Sequence, residues 1–147
     1  MFVGICRVSK YAYAEIFESM KGDDALVFLE NLVKACPFRI HTIVTDNGSQ
    51  FSYNRRVLAN NPKRRHRFVL SCAAHGFKHK TTRPYSPQIN GQVEHMNRTI
   101  KEATTKTYHY ESIDQLKVHL HSFMTAYNCA KKLSALKRKT PCEAVLT

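Results

Sequence analysis

The hydrophobic pattern of this chain changes period twice within residues 2–45, and no other feature restricts its fold as much. Residues 2–7 form a short apolar run. Residues 11–17, running from Tyr11 to Phe17, are aromatic-rich with β character, and Ser9-Lys10 between the two segments suits a hairpin. The period then becomes helical: Ala25, Phe28, Leu29, Leu32, Val33 and Cys36 share one face of a helix over 23–36. Asp23 and Asp24 stand where the helix dipole favours carboxylates, and Pro37 ends the element. Residues 39–45 return to strand character, as a buried strand, and lead into Asp46-Asn47-Gly48, a turn signal. Strand, strand, helix, strand is the opening of an α/β domain.

The remainder continues that alternation. Residues 52–67 are irregular, with Arg55, Arg56, Lys63, Arg64, Arg65 and Arg67 around Asn60-Asn61-Pro62, and predict a solvated loop leading into a short helix at 66–75. Residues 77–82 read as an edge strand, followed by a flexible loop holding Pro84 and Pro87. A helix over 90–108 has its apolar stripe at Val93, Met96, Ile100 and Ala103. Ser112-Ile113-Asp114-Gln115 fits a capping box, opening a helix with Leu116, Leu120, Phe123 and Tyr127 on one face. A second basic cluster, Lys131, Lys132, Lys137, Arg138 and Lys139, precedes a last helical turn after Pro141. No repeat or linker interrupts the chain, so residues 1–147 read as one domain.

Charge narrows the function. The chain carries 23 Lys+Arg against 11 Asp+Glu, a net charge of +12, and such a field calls for a polyanionic partner rather than a small molecule. Apolar residues at 43% are too many for a disordered basic tail. No run approaches the roughly 20 apolar residues that cross a bilayer. Residues 1–7 lack the features of a signal peptide. Five cysteines without paired spacing argue against a secreted disulfide framework and point to the cytoplasm. Cys72, His75 and His79 have no fourth partner at zinc spacing, so a buried thiol with surface histidines is expected there.

With only eleven carboxylates, the candidates for acid, base or metal chemistry can be taken one by one. Asp23, Asp24 and Asp114 are explained by helix starts. Glu30, Glu102, Glu111 and Glu143 sit on or beside amphipathic helices, and Glu15 and Glu18 flank a strand end. Asp46 differs, because it ends a strand where open α/β sheets place their ligand sites. Glu94 differs too: it lies early in a long helix with Arg98 at i+4 and Lys101 one turn further. A carboxylate on a cationic face suggests a divalent metal beside phosphate, although a helix-start Glu that merely complements the dipole is an equal reading of this pair alone.

The strings around these residues carry a resemblance. Thr45-Asp46-Asn47-Gly48-Ser49-Gln50-Phe51, and the segment from Arg83-Pro84-Tyr85 through Gln88-Ile89-Asn90-Gly91 to Glu94 and Asn97-Arg98-Thr99, resemble the integrase catalytic core. That ribonuclease-H-like core is shared by retroviral integrases and bacterial insertion-sequence transposases, and the transposases look nearer. Ala126-Tyr127-Asn128 and Thr140-Pro141-Cys142-Glu143 match the tail of the same pattern. The resemblance implies a mixed sheet flanked by helices, acting on DNA in integration or transposition as a homo-oligomer. It implies three carboxylates holding two Mg²⁺ or Mn²⁺ ions, with Asp46 as the second Asp and Glu94 as the Glu. It also places Asn90 and Gly91 in a mobile loop over the site, and Asn97, Arg98 and Lys101 on the helix face that approaches DNA. Lys80 and Arg83, with Arg55, Arg56, Arg64 and Arg65 of the cationic loop, are expected phosphate contacts.

The sequence departs from that pattern at its start. The family's first catalytic Asp lies on a strand upstream of a segment resembling residues 2–16, whereas the first Asp here is Asp23. The first strand of the sheet is therefore expected to be lacking, leaving residues 1–8 poorly ordered or paired with another copy. Between Asp46 and Glu94 lie 47 residues, more than in compact relatives, and the excess falls in the cationic 52–67 segment. The alternative to an active transposase or integrase core is a catalytically inactive remnant that keeps its nucleic-acid binding.

Overall fold

A computed structural model of the chain describes residues 1–147 apart from Met20, Asn54, residues 83–86 and Thr147, with backbone alone described for 55–57 and 87–90. Its elements follow the order β1 (Phe2–Ile5), β2 (Ala12–Glu15), α1 (Gly22–Ala35), β3 (Thr42–Thr45), α2 (Arg55–Asn60), α3 (Arg67–Ala74), β4 (Lys78–Thr81), α4 (Pro87–Ala103), α5 (Ile113–Cys129) and α6 (Pro141–Leu146). They pack into two compact units, one of residues 1–16 and 91–147, the other of residues 17–90.

The first unit joins both ends of the chain. Strands β1 and β2 form an antiparallel hairpin with Phe2 opposite Glu15 and Ile5 opposite Ala12. Lys10 turns it with a left-handed backbone, φ 63°, and its amide donates to the Cys6 carbonyl at 3.0 Å. Residues 1–8, expected to be poorly ordered or paired with another copy, are thus half of an intramolecular hairpin. The apolar stripes of α4 and α5 close over it: Ala12, Met96, Ile100, Leu120, Met124 and Tyr127 are buried together. Asn128, which the helical periodicity did not mark, is buried as well. Its carboxamide accepts from the Ala12 N–H at 2.9 Å and donates to the Ala12 carbonyl at 2.8 Å, acting as one peptide unit of a neighbouring strand.

Helix ends account for the remaining differences in this unit. Helix α4 stops at Ala103, short of the expected 108: the Thr104 amide donates to Lys101 O, three residues back, at 3.3 Å, and the Lys106 amide donates to the same carbonyl at 2.9 Å, so the i→i−4 ladder is not continued. Ser112 caps α5 by accepting from Gln115 N at 3.3 Å, but the Gln115 side chain accepts from Glu111 N at 3.0 Å rather than completing the box at Ser112. Cys129 and Cys142 form a disulfide between the end of α5 and the start of α6, with Cα atoms 5.2 Å apart. Single-chain spacing gave no sign of that pair.

In the second unit β3 and β4 run parallel, Thr42 beside Lys78 and Thr45 beside Thr81. Helices α1 and α3 supply the core, burying Ala25, Phe28, Leu29, Phe68 and Cys72. Strand β3 is not the buried strand expected: Val44 is 43% exposed. Among the described residues β3 is hydrogen-bonded on one side only, to β4, so it behaves as an edge. Residues 55–60, expected as loop, are helical; Arg55-Arg56-Val57-Leu58-Ala59 are competent helix formers that Asn61-Pro62 terminates.

Candidate functional site

Asp46 follows β3 in a turn whose every residue has a role. Gly48 N–H donates to Asp46 Oδ1 at 2.8 Å, fixing the carboxylate. Asn47 Nδ2 donates to Thr82 O at 2.9 Å, tying the turn to the end of β4. A Cβ at Gly48 would lie 2.5 Å from Gln50 Oε1 and 2.9 Å from Asp46 Oδ1, so a larger residue would displace the very carboxylate that the turn orients. Asp46 is exposed and, among the described residues, makes no ion pair. Its second carboxylate oxygen is therefore available to a cation.

Behind the turn, His79 Nε2 lies 2.8 Å from Thr45 Oγ1, and that hydroxyl donates to Asp46 O at 3.0 Å. The hydroxyl has one proton, so His79 is the donor in its pair. Burial, with a smaller contribution from His66, depresses the proton affinity of His79 below the ordinary histidine value of 6.5. The unfolded chain binds this proton more readily than the folded one. Stability is therefore full above about pH 6.5 and declines as pH falls below it, levelling once the folded chain is protonated too. Urea midpoints are expected to fall between about pH 7.5 and about pH 5.5, and His79→Gln to shrink that difference. An unchanged difference in the variant would place the pH dependence elsewhere.

Glu94 belongs to the first unit. It is exposed on α4, where with Asn97, Arg98, Lys101, Lys106 and Met1 it lines an open recess of about 490 Å³. Helical geometry sets Glu94, Asn97, Arg98 and Lys101 on one face, at i, i+3, i+4 and i+7. Lys106 joins them because its amide donates to Lys101 O at 2.9 Å, turning the chain back at the helix end. That contribution depends on where α4 stops, which the periodicity misjudged. Asn90 and Gly91, expected in a mobile loop, lie instead in the first turns of α4, which begins at Pro87; proline at a first helical position is preset for it.

The other expected contacts divide between the described and the undescribed residues. Arg64, Arg65 and Lys80 are exposed cations of the second unit, and the Arg64 guanidinium lies over the Tyr53 ring at 4.6 Å. Tyr53, His66 and Arg67 line a smaller recess of about 250 Å³ with Lys21, Gly22 and Asp23, a grouping with no sequence signal. Arg83, and the side chains of Arg55, Arg56 and Asn90, lie outside the described residues. Cys72 is fully buried, its thiol pushed up to about 11 by burial; His75 pairs with Glu30 at 2.6 Å.

Asp46 and Glu94 are oxygen donors of the kind Mg²⁺ or Mn²⁺ requires. Among the described residues, no three His, Cys, Asp or Glu side chains gather where they would hold a metal ion. None of the described helices is long and apolar enough to cross a membrane.

The architecture is the ribonuclease-H-like α/β fold of integrase catalytic cores. Residues 75–141 match the integrase core domain family. The catalytic core domain of BIV integrase superposes with a TM-score of 0.71 at 19% identity, over 98% of this chain and 83% of that one. A chain of the simian T-cell lymphotropic virus intasome, solved in complex with PP2A regulatory subunit B56 gamma, gives 0.77 at 19% identity over 99% of this chain. This chain spans 47% of that one.

Proposed function

We propose that this chain acts on DNA strands in integration or transposition, as a cytoplasmic homo-oligomer, with Asp46 and Glu94 supplying carboxylate oxygens to Mg²⁺ or Mn²⁺. The observation that carries the reading is the exposed turn presenting Asp46 within an integrase-type fold, combined with Glu94 on a cationic helix face. Bound divalent ions would supply activation of the attacking hydroxyl and stabilisation of the leaving oxygen. The chain's own residues hold the substrate. Asn97, Arg98 and Lys101 meet backbone phosphates beside Glu94, and Gly48 keeps the Asp46 carboxylate turned outward. Lys80, Arg64 and Arg65 extend the cationic surface in the second unit, joined by Arg55, Arg56 and Arg83 on sequence grounds; Asn90 and Gly91 begin the helix that bears Glu94.

A second reading is DNA binding without turnover. It is favoured by the exposed cations, Arg98, Lys101 and Lys106 among them, which can hold a phosphate backbone with or without a bound metal. The experiment is a strand-cleavage assay on labelled duplex DNA with Mn²⁺, using the unaltered chain, Asp46→Asn and Glu94→Gln. Cleavage abolished by either substitution, with DNA binding retained, supports the catalytic reading. Binding with no cleavage in any of the three supports the second. Cleavage that survives both substitutions shows that these carboxylates are not the metal ligands.

A further inference from the structure

Residues 130–140 contain five cations, Lys131, Lys132, Lys137, Arg138 and Lys139, and no carboxylate. A charge run of this kind is ordinarily a solvated face, but this one is built into a defined shape. Helix α5 ends with the Ala130 and Lys131 amides both donating to Ala126 O, at 2.9 and 3.0 Å. Leu133 and Lys139 then pair as an antiparallel bridge, Leu133 N–H donating to Lys139 O at 3.1 Å and Arg138 N–H to Leu133 O at 2.9 Å. A 3-10 turn over Ser134–Leu136 fills the interval, and the Cys129–Cys142 disulfide closes the base. Leu133 anchors the loop by packing against the core of the first unit.

Two details separate this loop from a merely soluble surface. Lys137 and Arg138 are consecutive left-handed residues, φ 54° and 66°, a conformation that glycine or asparagine adopts at least cost. Cations occupy both positions nonetheless, against the steric preference of L-residues. All five cations are exposed, and none has an ion-pair partner among the described residues. Among the described residues, Lys131 Nζ has a ring contact, 5.8 Å from the centre of Tyr127. Because hydrogen bonds and the disulfide already hold the loop backbone, docking to a regular array of anions has only the exposed side chains left to order.

We propose that the loop of residues 130–140 is a docking site for the phosphodiester backbone of duplex DNA, separate from the α4 face that carries Glu94. The apolar side chains that would insert into a lipid surface are not presented, since Leu133 and Leu136 are partly buried. The inference rests on the reading that this chain handles DNA.

The test measures binding of the full chain to fluorescent duplex DNA across a salt series. It compares the unaltered protein with Lys137→Gln/Arg138→Gln/Lys139→Gln, with Lys131→Gln/Lys132→Gln, and with the α4 variant Arg98→Gln/Lys101→Gln. Each phosphate contact removed lowers the salt slope by roughly one, so the triple loop variant should lose about 2–3 from it and the double loop variant about 2. The α4 variant should show its own, separate loss. If the unaltered chain and the α4 variant behave as stated while both loop variants keep the parental affinity and slope, the loop inference is overturned and the DNA reading stands. If the unaltered chain does not bind DNA, the reading beneath it fails. Capture on phosphatidylserine vesicles that is lost in the loop variants, with DNA binding unchanged, would also overturn it. Thermal melts of the variants, expected to match the parent, show that any lost binding is not lost folding.

Discussion

Affinity for duplex DNA is expected to fall about 10³- to 10⁵-fold as salt rises from about 50 to about 200 mM, the change produced when 6–10 phosphates are neutralised. The chain has the charges for a footprint of that size, with 23 Lys+Arg against 11 Asp+Glu. They are also available. Arg98, Lys101 and Lys106 on one recess, Arg64, Arg65 and Lys80 in the second unit, and the five cations of residues 130–140 are exposed and unpaired with any carboxylate among the described residues. Each phosphate neutralised releases condensed counterions, and the entropy of that release shrinks as bulk salt rises. Because these contacts reach the backbone rather than base edges, duplexes of unrelated sequence should bind within a few-fold of one another. Fluorescence anisotropy over a salt series checks both statements. Binding that ignores salt, or no binding, would remove nucleic acid from the account.

Asn128→Ala is expected to destabilise the protein by about 3 kcal/mol, the loss of two buried hydrogen bonds whose partners are then unsatisfied. The carboxamide of Asn128 holds both the N–H and the carbonyl of Ala12, a residue 116 positions away in the chain and 1% exposed. Strand β1 cannot rescue those groups. Ala12 faces Ile5, and its polar atoms point away from the hairpin ladder, towards α5. Water is poorly placed to replace the amide, because the surrounding side chains, among them Met124 and Tyr127, are buried apolar groups. Asn128→Asp tests the same geometry from another direction, since an ionised carboxylate cannot donate to the Ala12 carbonyl and brings a buried charge. Urea denaturation followed by circular dichroism reads the loss directly. A variant of parental stability would show that the Ala12 polar groups find other partners.

Particular residues show how much could be read before folding. The stripe on 23–36 was legible because a helix buries residues at a fixed period, and Ala25, Phe28 and Leu29 are indeed buried. The stripe on α4 was legible for the same reason, with Met96 and Ile100 at its centre. The hairpin of residues 2–17 followed from β character on either side of a tight connection. Helix α2 was missed because its arginines suggested a solvated loop, although charge does not oppose helix formation. The ends of α4 were misjudged, since a proline can open a helix as readily as forbid one, and the amides of Thr104 and Lys106 close it on Lys101 O without any mark in the apolar period.

The site divides along the same line. Asp46 stood out by its place at a strand end, and Glu94, for which a helix-start role was an equal reading, by the string around it that resembles the integrase core. The turn that orients Asp46 is local, running from Thr45 to Gly48, and its amide and carboxylate partners lie within reach of any folded form of that segment. What the chain order alone settled is of this kind: period, charge, turn chemistry and the isolation of two acidic side chains, all of which act over a few bonds. The bond from Asn128 to Ala12, the pairing of Cys129 with Cys142, the exposure of β3 and the return of Lys106 to the Glu94 recess were decided only by tertiary structure. Each depends on which distant surfaces are pressed together when the apolar stripes are buried, and no short window of sequence encodes that meeting.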